Sequence, residues 1–199
     1  QALVLVEKLK KICSDYSYDE IIAYSYAIGL AGLSIKQELP EINDTIVELR
    51  RLAGENEKSA TIQAVYARGL VSLSIKQALL ERKATVGELR RLAGENEGNT
   101  AVQIAYAMGL FSLSSQQELA EQKATIKELR RLAGDIERNG AIQTAYARSL
   151  FNLSCEQELP EIKETVKELA RLATENERNG DIQTAYARSL FNLSCEQEL

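Results

Sequence analysis

The sequence predicts an all-α fold: an α-solenoid, wound as a right-handed superhelix of about ten helices stacked in antiparallel pairs. Three observations carry this. The segment AYARSLFNLSCEQEL at Ala145 to Leu159 returns unchanged at Ala185 to Leu199, forty residues on. Apolar residues inside the repeat keep helical spacing, with Ile142, Tyr146, Leu150 and Leu153 at i, i+4, i+8 and i+11. Two prolines, eleven glycines and no tryptophan in 199 residues argue against a turn-rich β chain, while 45% hydrophobic and 27% charged residues describe a globular one.

Taken in chain order, residues Leu5 to Asp15 fit the register of a diverged second helix, here called helix B. A first full unit follows, with helix A over about Asp19 to Gln37 and helix B over about Pro40 to Glu57. Helix A carries SYAIGLAGLSIKQEL from Ser25, and its later copies are VYARGLVSLSIKQAL from Val65 and AYAMGLFSLSSQQEL from Ala105, followed by the two identical ones. Helix B carries TIVELRRLAGENE from Thr45, then TVGELRRLAGENE from Thr85, TIKELRRLAGDIE from Thr125 and TVKELARLATENE from Thr165. The units run 1–18 (partial), 19–58, 59–98, 99–138, 139–178 and 179–199 (partial), read together as a single domain over 1–199. Such a chain begins inside a helix B and stops after a helix A, as a piece of a longer array would, and its uncapped ends suit end-to-end self-association.

Local signals agree with these bounds. Pro40 and Pro160 mark the start of helix B, where proline is tolerated and the preceding Leu39 or Leu159 is pushed out of helical geometry. Asn139-Gly140, Asn179-Gly180, Ser59 and Asn99 mark the start of helix A. Gly54, Gly94 and Gly134 share a slot with Ser14 and Thr174, so they are small late-helix residues and not left-handed caps.

On these residues the repeat resembles the tetratricopeptide (TPR) family along the whole chain. Tyr146 aligns with the family's first large aromatic, Ser149, Leu150 and Leu153 with its next helix-A positions, and Thr165, Leu169 and Leu172 with its helix-B positions. The family repeat has about 34 residues, so this one is a longer variant, and its small-residue slot is shifted by one to Gly69 or Gly109. IQTAYARSLFNLS at Ile142 to Ser154 is also similar to the last helix of armadillo repeats. Both resemblances imply protein binding along a concave surface.

Positions constant between copies, at Tyr146, Ala147, Leu150, Leu153, Ser154 and Gln157 and their equivalents, fall within an arc of about 120° and predict the packing seam of helix A. The variable positions form an opposite stripe. It reads Tyr24, Ile28, Ala31, Ile35; Ala64, Arg68, Val71, Ile75; Ile104, Met108, Phe111, Ser115; Thr144, Arg148, Phe151, Cys155; and Thr184, Arg188, Phe191, Cys195. The partner-facing candidates are Arg68, Val71, Met108, Phe111, Arg148, Phe151 and Asn152, with Arg188, Phe191 and Asn192 in the last copy. Two roles are open for the phenylalanines: a groove that receives a partner, or filling between consecutive A helices. The arginines, with no acid in the stripe, point to a partner that is both apolar and acidic.

Composition narrows the rest. No histidine is present, which removes Ser-His and Cys-His nucleophiles and histidine-ligated zinc. Lys+Arg 24 against Asp+Glu 29 gives net −5, the wrong sign for phosphate neutralisation, so no nucleic-acid partner is expected. No run approaches the ~20 apolar residues of a membrane span and no signal peptide opens the chain. Cys13, Cys155 and Cys195 form no C-x-x-C pair and are expected to be free thiols in a reducing, cytoplasmic setting. No cofactor, metal or catalytic residue is assigned. Glu48/Arg51 and its three copies are expected to be i, i+3 surface pairs of about 0.2–0.5 kcal/mol each. The expected function is a non-enzymatic scaffold for a protein or peptide partner. A structural spacer and an armadillo- or HEAT-like adaptor are the alternatives, and an enzyme is disfavoured because recurring residues offer no unique acid, base or nucleophile.

Overall fold

In the computed structural model, which describes residues 2–16, 19–136 and 139–197, every regular element is an α-helix. The B helices are α1 (Ala2–Asp15), α3 (Glu41–Glu55), α5 (Leu79–Glu95), α7 (Leu119–Asp135) and α9 (Leu159–Glu175). The A helices are α2 (Glu20–Ser34), α4 (Ala60–Lys76), α6 (Thr100–Ser114), α8 (Gly140–Ser154) and α10 (Gly180–Gln197). The fold is therefore the expected all-α repeat. Its contacts divide the chain into two compact units, 1–109 and 110–199, with the boundary inside α6.

The A helices start where the sequence places them. The side chains of Asp19, Ser59, Asn99, Asn139 and Asn179 each accept from backbone N–H groups of the first turn, as in Asn139 Oδ1 with Ala141 N at 3.1 Å and Ile142 N at 3.2 Å. Three B helices, α3, α5 and α9, end on asparagine: Asn56, Asn96 and Asn176 donate from backbone N–H and from Nδ2 to the carbonyls of Leu52, Leu92 and Leu172, while Ile136 closes α7 through its backbone N–H alone. Gln63, Gln103, Gln143 and Gln183 each donate from Nε2 to the helix-B carbonyl ten residues earlier, Ala53, Ala93, Ala133 and Ala173. Gly54, Gly94 and Gly134 lie within helices, and no described glycine has positive φ.

In each unit the core lies between A and B helices. Leu49, Leu89, Leu129 and Leu169 are fully buried, as are Ala27, Ala67, Ala107 and Ala147. Gly69 and Gly109 allow the closest approach: a Cβ there would stand 2.6 Å from Leu49 Cδ1 or Leu89 Cδ1. In the second unit this slot holds serine, and Ser149 and Ser189 pair with Ser114 (3.2 Å) and Ser154 (3.1 Å) of the preceding A helix. Neighbouring A helices touch directly, α2 with α4 in the first unit and α8 with α10 in the second.

One buried slot changes character between copies. Ile42 and Ile162 fill it with hydrocarbon, and Arg82 fills it while donating from Nη2 to the carbonyls of Ile75 and Gln77 at 3.2 and 2.8 Å. Burial pulls the Arg82 pKa below its ordinary value. Gln122 occupies the same slot fully buried, with no partner for either amide atom among the described residues.

Candidate functional site

The variable face of the A helices divides into rows of different exposure. In the first unit, Ile28 (46%), Ile35 (58%), Ile75 (60%) and Met108 (45%) are exposed large apolar side chains, and Arg68 is exposed among them. Val71 is a correction to the stripe: only 7% of it is accessible, like Ala31 at 6%. Side chains in this row point between adjacent A helices, so a short one is covered completely.

In the second unit the same row carries phenylalanine, which is too large to be covered. Phe111 and Phe151 are half-buried, and an arginine of the following A helix closes over each ring. The Arg148 guanidinium stands 4.9 Å from the Phe111 centroid and that of Arg188 5.4 Å from Phe151. Of the two roles left open by the sequence, the filling one is what the geometry shows. Each ring fills space between helices and also supports a guanidinium. Arg68 has no such support, because Ala31 stands at the corresponding position, 37 residues earlier.

Phe191 is 68% exposed. Asn152 and Asn192 are half-buried, and Asn192 Nδ2 donates to Cys155 Sγ at 3.3 Å. The cysteines are free, Cys155 and Cys195 exposed and Cys13 buried, with burial raising the Cys13 thiol pKa.

The opposite side of the repeat holds a network that spacing alone did not reveal. The helix-A tyrosine donates to the glutamate 22 residues on in the next helix B: Tyr66 to Glu88 and Tyr146 to Glu168, both at 3.0 Å. That glutamate is gripped by an arginine three residues on, as in Arg91–Glu88 (2.9 Å) and Arg171–Glu168 (2.8 Å). The same arginine reaches the acid four residues further, as Arg171 does to Glu175 at 2.6 Å. The Glu–Arg pairs are thus more than surface decoration, since they anchor the tyrosine of the neighbouring helix. The usable signal in the sequence was that tyrosine and glutamate are constant together, 22 residues apart, in successive copies.

The charges respond accordingly. Hydrogen bonds from Arg51, Arg91 and Arg171 hold Glu48, Glu88 and Glu168 below the usual carboxylate range, against the opposing effect of burial. Burial, reinforced by the facing carboxylates, raises Tyr26 and Tyr146 above the usual phenol value. The glutamates stabilise the fold fully above their unfolded pKa of about 4.3, and that contribution falls away as pH drops through the lower folded values. The tyrosines contribute below their unfolded pKa of about 10, and this is lost as pH rises beyond it. Thermal melting followed by circular dichroism is therefore expected to be flat from about pH 5 to 9.5 and to fall on both sides. An unchanged midpoint at pH 3 would show that the network adds nothing.

Clefts on this side are lined in the first unit by Lys10, Cys13, Glu48, Arg51 and Glu55, and in the second by Arg130, Gln143, Tyr146, Arg171 and Glu175. Among the described residues there is no group of three or more Cys, Asp or Glu that could hold a metal ion, and no helix long and apolar enough to cross a membrane. Comparison of the chain with protein-family models, with curated proteins and with solved structures finds no match.

Proposed function

We propose that the chain is a non-enzymatic, TPR-like scaffold that binds a protein or peptide partner through the exposed faces of its A helices. The observation that carries this reading is the ladder of Ile28, Ile35, Ile75 and Met108 in the first unit, each 45–60% exposed, with Arg68 among them. Leaving four large apolar side chains about half in water forgoes roughly half of the 1.5–3 kcal/mol that full burial of each would give, and exposure of this kind commonly marks an interaction surface. The constant residues suit a structural role, since carboxylates engage the Tyr66 and Tyr146 hydroxyls and the fully buried leucines make the core.

The test is selection of a displayed peptide library on the full chain, followed by affinity measurement with Ile35→Ser, Ile75→Ser and Met108→Ser. These exposed positions should leave melting within about 0.5 kcal/mol of the parent and weaken selected ligands about tenfold or more. Failure to enrich any ligand, or ligands indifferent to all three substitutions, would overturn the reading.

A further inference from the structure

The two arginines held on phenylalanine rings stand apart from the other paired arginines of the chain. Arg171 is committed to Glu168 and Glu175 at 2.8 and 2.6 Å. Among the described residues, the side chains that hold Arg148 and Arg188 are the rings of Phe111 and Phe151. No acid occupies their stripe. Helix α8 holds no acid, and those of α10, Asp181 seven residues before Arg188 and Glu196 eight after it, are roughly 10–12 Å away at 1.5 Å per residue.

A guanidinium stacked on a ring keeps its fork of N–H donors at the edge, free for a carboxylate, and loses little conformational freedom when one arrives. Two such arginines sit at equivalent positions of α8 and α10, helices in direct contact. Axes about 8–10 Å apart, offset by the three residues that the Arg–Phe pairing shows, about 4.5 Å along the axis, set their Cα atoms about 9–11 Å apart.

This spacing selects a ligand geometry. A polyproline II segment has three residues per turn and rises about 3.1 Å per residue, so side chains at i and i+3 share a face about 9 Å apart. In a β-extended segment i and i+3 point to opposite sides, and i and i+2 are only about 6.6 Å apart. We propose, resting on the partner-binding reading above, that the second unit recognises an extended acidic peptide whose carboxylates lie three residues apart, one on Arg148 and one on Arg188, with Phe111 and Phe151 as the platforms that fix both guanidinium groups.

The experiment titrates the full chain into fluorescein-labelled proline-rich nonapeptides and reads anisotropy. One peptide carries two glutamates at i and i+3, an isomer carries them side by side, and a third carries glutamines. The i, i+3 peptide is expected to bind, with the isomer several-fold weaker and the glutamine peptide at background. Arg148→Gln and Arg188→Gln should each weaken it about fivefold or more, and Phe151→Leu, which keeps the bulk and removes the ring, should weaken it with the helical circular dichroism unchanged.

Equal binding of all three peptides, indifference to both arginine substitutions, or stronger binding of a single-stranded oligonucleotide would overturn the inference. If it fails while Ile35→Ser, Ile75→Ser or Met108→Ser still weakens selected ligands, partner binding stands and only the acidic specificity falls. If both sets are silent, both readings fall.

Discussion

Leu169→Ala is expected to lower stability by about 2–5 kcal/mol, the range for a leucine truncated in a packed core. Leu169 is fully buried, and a close-packed interior leaves neighbours little room to collapse into the vacated volume. Leu80→Ala is the companion: with 78% of Leu80 exposed, the change should stay within about 0.5 kcal/mol. Urea titration of both variants decides the matter. A loss under about 1 kcal/mol for Leu169→Ala would mean that the helix pairs are not held by this seam.

The second large effect runs the other way. Gln122→Ile is expected to stabilise the chain by about 1–3 kcal/mol, because the amide is buried with neither atom bonded to any described residue. The chain itself supplies the replacement, since Ile42 and Ile162 fill the equivalent slot at 0% and 1% exposure. The urea midpoint should rise with an unchanged m-value. An unchanged midpoint would place an ordered water on the amide, satisfying it as well as a protein partner would.

Much of the fold was legible from internal repetition. Helix order, the Asn139 and Asn179 starts, the buried Tyr146, Leu150 and Leu153 and the helical setting of Gly134 all follow from aligning the copies. Three A helices are shorter than the pattern, as α2 is with Glu20–Ser34 in place of Asp19 to Gln37, whereas α4 and α10 reach Lys76 and Gln197. Gln37 instead takes up a tertiary contact, accepting from Thr45 Oγ1 at 2.7 Å, and Gln157 does the same with Thr165.

The stripe was legible only in part, for a physical reason. Spacing along one helix gives a direction, whereas exposure also depends on how far each side chain extends between two helices. Val71 and Phe151 share a direction, but one is covered and the other overhangs. The Arg–Phe pairs join residues 37 apart, and Ser154 with Ser189 joins residues 35 apart. Adjacent A helices are therefore staggered by about a turn, which a comparison at a lag of forty does not reveal.

The amide bonds from Gln63, Gln103, Gln143 and Gln183, the tyrosine–glutamate bonds and the Arg–Phe pairs bridge 10, 22 and 37 residues respectively. Every one of these spans is shorter than the period. Unequal recombination that copies or excises whole forty-residue segments therefore keeps the register of these pairs, whereas a gain or loss of a length that is not a multiple of forty disrupts those whose span it interrupts. The stretches at Ala145 to Leu159 and Ala185 to Leu199 are identical over such a span, so a whole unit could be added or removed without redesign of the interior.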